Sequence, residues 1–224
     1  MLILLIVLAL AIFVLPNLWA KWVLKRHTRG RDDYPGTGAE LAEHLIRRMG
    51  VEGVRVERTE QGDHYDPEAR CVRLTPDHYD GRSLTAVTVA AHEVGHAIQH
   101  HEGYAPLLAR SRLVRVAQKA EKLGAILMMA APFLFLLTRL PGGLAMIVVM
   151  AVISFGTAAL VHLVTLPVEF DASFNRALPL LKEYVPPADM AGARHVLTAC
   201  AFTYVAASLA SVMNLGRWLV ILRR

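Results

Sequence analysis

The sequence predicts a mainly α-helical membrane protein. It would have about four transmembrane helices and a small cytoplasmic α+β domain of the zincin type, containing a short antiparallel strand pair. Three observations predict it. Apolar residues make up 54% of the 224-residue chain and gather in four windows, 2–20, 123–137, 144–166 and 196–220. Windows of about 20 residues with almost no charge read as helices long enough to span a bilayer. Residues 21–122, between the first two windows, have instead the charge and alternation of a water-facing domain. That domain holds His92-Glu93-Val94-Gly95-His96 in a stretch whose apolar residues recur at helical spacing.

Each element has its own justification. The apolar run 2–20 has no Lys or Arg ahead of it and no A-x-A cleavage site, so it reads as an anchor rather than a signal peptide. Lys21, Lys25, Arg26, Arg29 and Arg31 follow it, and Arg110, Arg112, Arg115, Lys119 and Lys122 precede the second window. Basic residues flanking spans face the cytoplasm, which places 21–122 on that side of the membrane. The net charge of +5 is therefore spent on topology, and no nucleic-acid partner is expected. Cys71 and Cys200 form no disulfide framework and fit a reducing compartment. The chain divides into an anchor (1–20), the zincin-like domain (21–122), a transmembrane hairpin (123–166), a cytoplasmic segment (167–195) and a last span (196–224).

Within the domain, Gly36-Thr37-Gly38 leads into an amphipathic helix over 39–49, ended by Gly50. Residues 54–58 and 71–74 alternate like strands and predict an antiparallel pair, with turn composition at 62–67. An edge at 72–74 would hold a peptide as an added strand. Ser83 starts the next helix, over 85–99. Gly103-Tyr104-Ala105-Pro106 breaks the chain before a basic amphipathic helix over 107–122. Arg139 to Gly143 reads as a tight connection between spans, and Leu166-Pro167 as the end of the third.

The chemistry rests on His92 and His96. Residues i and i+4 share a helix face, so both imidazoles can reach one zinc ion, which takes nitrogen at about 2.0–2.1 Å. Glu93 falls beside them, placed to take a proton from a zinc-activated water. The bland alternative, a surface helix carrying HExxH by chance, has odds of roughly one in a hundred. A third ligand is needed. The metzincin pattern requires Gly at 99 and His at 102, where this chain has Gln99 and Glu102. His100 continues the series, but three turns of one straight helix spread over about 12 Å and do not converge on one ion. Glu169 is the better candidate, on a segment that topology returns to the same side, and Asp171 is the runner-up.

The stretches Asp63-His64-Tyr65-Asp66-Pro67, Ala90 through His100, Gly103-Tyr104-Ala105-Pro106 and Leu166 through Ser173 resemble the YugP-like neutral zinc metallopeptidases of bacterial membranes. The resemblance covers nearly the whole chain. A weaker similarity runs to the HtpX and CAAX-prenyl protease group, whose motif reads E-F-x-A-D; its final Asp is Ser173 here. The resemblance implies zinc as cofactor, His92, His96 and Glu169 as its ligands, and Glu93 as general base.

The expected function is an integral-membrane zinc metallopeptidase of the gluzincin type. Its partners would be the lipid bilayer and a protein or peptide substrate at or near the membrane. Candidate transition-state stabilisers are Tyr204, His195 and His64, followed by Arg194 and Tyr65. An inactive metal-binding scaffold is the alternative, against which the intact Glu93 argues. A transporter is disfavoured because so few polar groups, His162 among them, lie within the apolar windows.

Overall fold

The computed structural model describes residues 15–31, 33–138, 161 and 165–203. They are mainly helical with one small three-stranded sheet. Among the described residues no helix is long and apolar enough to cross a membrane, which corrects the expectation of about four transmembrane helices. The windows 2–20, 144–166 and 196–220 lie largely outside the described residues. The window 123–137 falls in helix α5 (Ala105–Thr138), whose earlier turns carry Arg110, Arg112, Arg115, Lys119 and Lys122. The core of the described residues is built mainly from 20–98 and 177–199, while Leu15, Leu18, Trp19, Ile126 and Met129 in the windows are exposed.

Helix α1 spans residues 15–26. Helix α2 (Gly38–Arg48) begins with a capping box: the Glu40 backbone N–H donates to Thr37 Oγ1, and the Thr37 N–H to Glu40 Oε2. Gly50, at φ +63, turns the chain out of it. Strand β1 (Arg55–Arg58) then runs parallel to β3 (Cys71–Leu74), with Arg55 opposite Cys71. The expected antiparallel pair is therefore wrong in direction. The antiparallel partner of β3 is β2 (His64–Asp66), from the stretch read as a turn. The reason is the connection. Asp66 Oδ1 accepts from the N–H groups of Glu68 and Ala69, closing a tight turn that only neighbouring antiparallel strands can use. Residues 59–70 give β1 a crossover to the far edge of β3, so β3 becomes the centre of the sheet.

After the short α3 (Pro76–Tyr79), helix α4 (Leu84–His101) runs through the middle of the fold. Ser83 caps it, its Oγ accepting from Ala86 N–H at 3.1 Å. Every residue from Leu84 to Gln99 is buried, not only the apolar stripe. Helix α2, the sheet with α3, and the segment after residue 165 all pack around it.

That segment is helical over 165–170 (α6), widens into a π-helical turn over Asp171–Ala177 and continues as α7 (Leu178–Leu181). The chain is helical on both sides of Pro167, where burial of Val168, Ala172 and Ser173 against α4 outweighs the local bias of proline; the span expected to end there lies largely outside the described residues. A final described helix, α8, covers 190–203. The closest approach of α4 to the π turn is at Gly95, where a Cβ would lie 2.7 Å from the Ala172 carbonyl oxygen. Only glycine lets the two backbones come this near.

Candidate metal centre

His92 and His96 project from α4 towards Glu169 at the end of α6, and all three side chains are almost completely buried. Glu169 Oε2 lies 3.3 Å from His92 Nε2 and 3.3 Å from His96 Nε2. One potential ligand atom from each of the three residues lies within 4.8 Å of the others.

The surrounding hydrogen bonds settle which imidazole nitrogen is bare. Gln99 Nε2 donates to the Val168 carbonyl and to Asp171 Oδ2, both at 2.8 Å. Its Oε1 must then accept from His96 Nδ1–H, 3.0 Å away. Ser173 Oγ donates to the Leu197 carbonyl at 3.3 Å, so it accepts from His92 Nδ1–H at 3.0 Å. Both rings thus carry hydrogen on Nδ1 and aim an Nε2 lone pair at the same carboxylate oxygen. A cation fits among them. Four ligands at about 2.0–2.1 Å around a tetrahedral zinc are separated by about 3.3 Å; Glu169 Oε2 has that spacing to each Nε2, which is long for an N–H···O bond.

The three groups are electrostatically coupled. Burial alone would raise the Glu169 carboxyl, but His96 and His92 outweigh it and hold it far below the usual carboxylate range. Burial would lower His96, yet Glu169 beside it raises its proton affinity. Glu93 is 7% exposed; burial pushes its carboxyl upward, against the opposing pull of both histidines.

Glu93 and His96 form the floor of a cleft of about 580 Å3. One wall is β2, with His64 and Tyr65; the other is α5, with Leu108, Arg110 and Arg115.

Residues 2–223 match the profile of a family described as "Putative neutral zinc metallopeptidase". The chain is also 38% identical over 212 residues to "Putative membrane protease YugP" of Bacillus subtilis (strain 168), covering 92% of this chain and 91% of the relative. The chain belongs to the neutral zinc metallopeptidase family. No solved structure matches it.

Within this metallopeptidase the other candidates separate. His64 lines the cleft and donates from Nδ1 to the Gly62 carbonyl at 2.8 Å. Tyr65 also lines it, with its hydroxyl 2.8 Å from His100 Nδ1, and burial pushes that hydroxyl up to about 12. His100 is thus paired at the end of α4, outside the donor cluster. Asp171 is taken up by Gln99, Arg176 and Asn175. His195 and Arg194 are exposed on α8, His195 near His27, and neither lines the cleft. Tyr204 and His162 lie outside the described residues.

Sequence reasoning missed Gln99 and Arg110, and noted Ser173 only as standing where the related motif has Asp. Gln99 and Ser173 carried a faint signal, three residues after His96 and four after Glu169 on shared helix faces. Arg110 carried none, being counted with the basic cluster.

Proposed function

We propose that the chain hydrolyses peptide bonds of membrane or membrane-proximal proteins, with His92, His96 and Glu169 holding zinc and Glu93 as general base. The observation that carries this reading is the aim of two Nε2 lone pairs at one Glu169 oxygen, with both Nδ1–H groups already committed. Zinc, when bound, polarises the scissile carbonyl and makes water acidic enough to lose a proton near neutral pH. Glu93 then takes the water's proton and delivers it to the leaving amine. Its burial favours the protonated form and so helps it hold that proton between the two transfers. Gln99 and Ser173 keep the imidazoles from turning, a role that outer hydrogen bonds play in metal sites generally.

The substrate enters between β2 and α5. Because β3 is central, the strand edge beside the cleft is β2, and an extended peptide would pair with residues 64–66 rather than 72–74. His64 and Tyr65, which line the cleft, are then the candidates to meet a developing oxyanion. Membrane association is supported by the name of the Bacillus relative. Exposed Trp19, Trp22, Val116 and Met129, close in sequence to basic residues, are side chains suited to a lipid interface.

The test pairs Glu93→Gln with wild type, both purified in detergent, on an unstructured protein substrate. The variant should keep about one zinc per chain and lose cleavage by roughly 10²–10⁴-fold. Undiminished cleavage by Glu93→Gln sinks the assignment of the base, and a wild type without stoichiometric zinc sinks the metal site.

A further inference from the structure

Glu169 has a second oxygen, and what it touches lies outside the helix pair that builds the centre. Arg110 Nη1, from the second turn of α5, stands 3.2 Å from Glu169 Oε1. The glutamate side chain is fully buried and that of the arginine is 19% exposed. Among the described residues no hydrogen bond of good geometry reaches Oε1, and the Arg110 guanidinium is paired with it. The carboxylate is thereby split: Oε2 faces the two histidines and Oε1 faces the guanidinium.

We propose that Arg110 is a positioning residue that makes Glu169 a one-oxygen ligand and ties the metal centre to the α5 wall of the cleft. This rests on the metal-site reading above. A carboxylate with both oxygens unclaimed can swing to offer either or both of them to a cation. Two-oxygen attachment would take up the position that the reacting water needs. A guanidinium on Oε1 blocks that swing and balances a charge that would be costly to bury alone. Arginine suits the task because it stays charged at every working pH. Arg110 also lines the cleft beside Glu93 and His96, so a substrate pressing on α5 would act on the same arginine that aims the ligand.

The experiment measures zinc affinity by competition with a chromogenic chelator, and the visible spectrum after cobalt loading, for wild type, Arg110→Met and Arg110→Lys. Four-coordinate cobalt absorbs strongly and five-coordinate cobalt weakly, so the spectrum reads how many oxygens Glu169 supplies. Arg110→Met should bind zinc roughly 10–100-fold more weakly, with a weakened cobalt band. Arg110→Lys, which keeps the charge, should recover most of the affinity and the strong band. A Met variant matching wild type in affinity and spectrum overturns the proposal. So does a folded Lys variant with wild-type packing but a weak band, which remains decisive even where the Met variant does not fold. Wild-type protein that takes up no zinc removes the site itself and this role with it.

Discussion

Among the described residues histidine meets carboxylate in two contrasting ways, one half-buried at Asp63 and one fully buried at Glu169. At the start of β2, Asp63 Oδ1 accepts from Thr75 N–H and Thr75 Oγ1, while Oδ2 accepts from His78 Nδ1 at 2.8 Å. Every lone pair pointed inward has its own proton at ordinary hydrogen-bond length. That cluster is a clasp joining the sheet to α3. At Glu169 one oxygen stands equidistant from two ring nitrogens at 3.3 Å, and both rings have committed their hydrogens elsewhere. The same residue types make a staple when donors and acceptors satisfy one another, and a candidate metal centre when several acceptors converge on a shared point.

The contrast can be broken at either end. The largest effect is expected from Glu169→Ala, which should fall from about one zinc per chain to a small fraction. Asp63→Ala should stay near one, both read by elemental mass spectrometry. Equal zinc in the two variants would erase the distinction. Next comes Gly95→Ala, whose new methyl meets the Ala172 carbonyl oxygen at 2.7 Å. Forcing α4 off the π turn should cost about 1–3 kcal/mol in urea unfolding and weaken zinc binding at the same time. Zinc affinity at the wild-type level would show that the close approach serves stability alone.

A smaller effect belongs to Ser173→Ala. It frees His92 to rotate without moving the backbone, and zinc affinity should drop roughly 10–100-fold with little change in melting temperature. The smallest concerns the clasp. Burial would raise Asp63, but donation from His78 and Thr75 prevails and holds it below the usual value. The folded state therefore binds that proton more weakly than the unfolded chain does. The stabilisation is complete above the unfolded value of about 3.9 and is lost as pH falls through the folded one. Asp63→Asn should be about 1–3 kcal/mol less stable at neutral pH, with the gap to wild type narrowing below about pH 4. A gap that is constant with pH would show that the carboxylate's charge plays no part in the clasp.

Local features were legible in the sequence. The Ser83 cap, the phase of His92 and His96, and the α2 boundaries follow from rules that act within a turn or two of helix. The sheet was misread because strand direction depends on how residues 59–70 are routed, and alternation looks the same in both directions. The transmembrane expectation came from counting apolar residues in windows. Among the described residues no helix meets the requirement.

The sequence by itself determined that a helix would place two imidazoles on one face with a glutamate beside them, because helical phase depends only on spacing along the chain. Which distant carboxylate meets those imidazoles was decided by tertiary structure. Glu169 and Asp171 are two residues apart, and only the packing of α6 and its π turn against Gly95 turns the first inward to the histidines and leaves the second on Gln99 and Arg176. The same holds for Ser173, Gln99 and Arg110, whose roles exist only where three separate segments meet. Metal binding asks for atoms placed to within a fraction of an ångström. Across 73 residues of chain, that precision comes from packing and not from spacing.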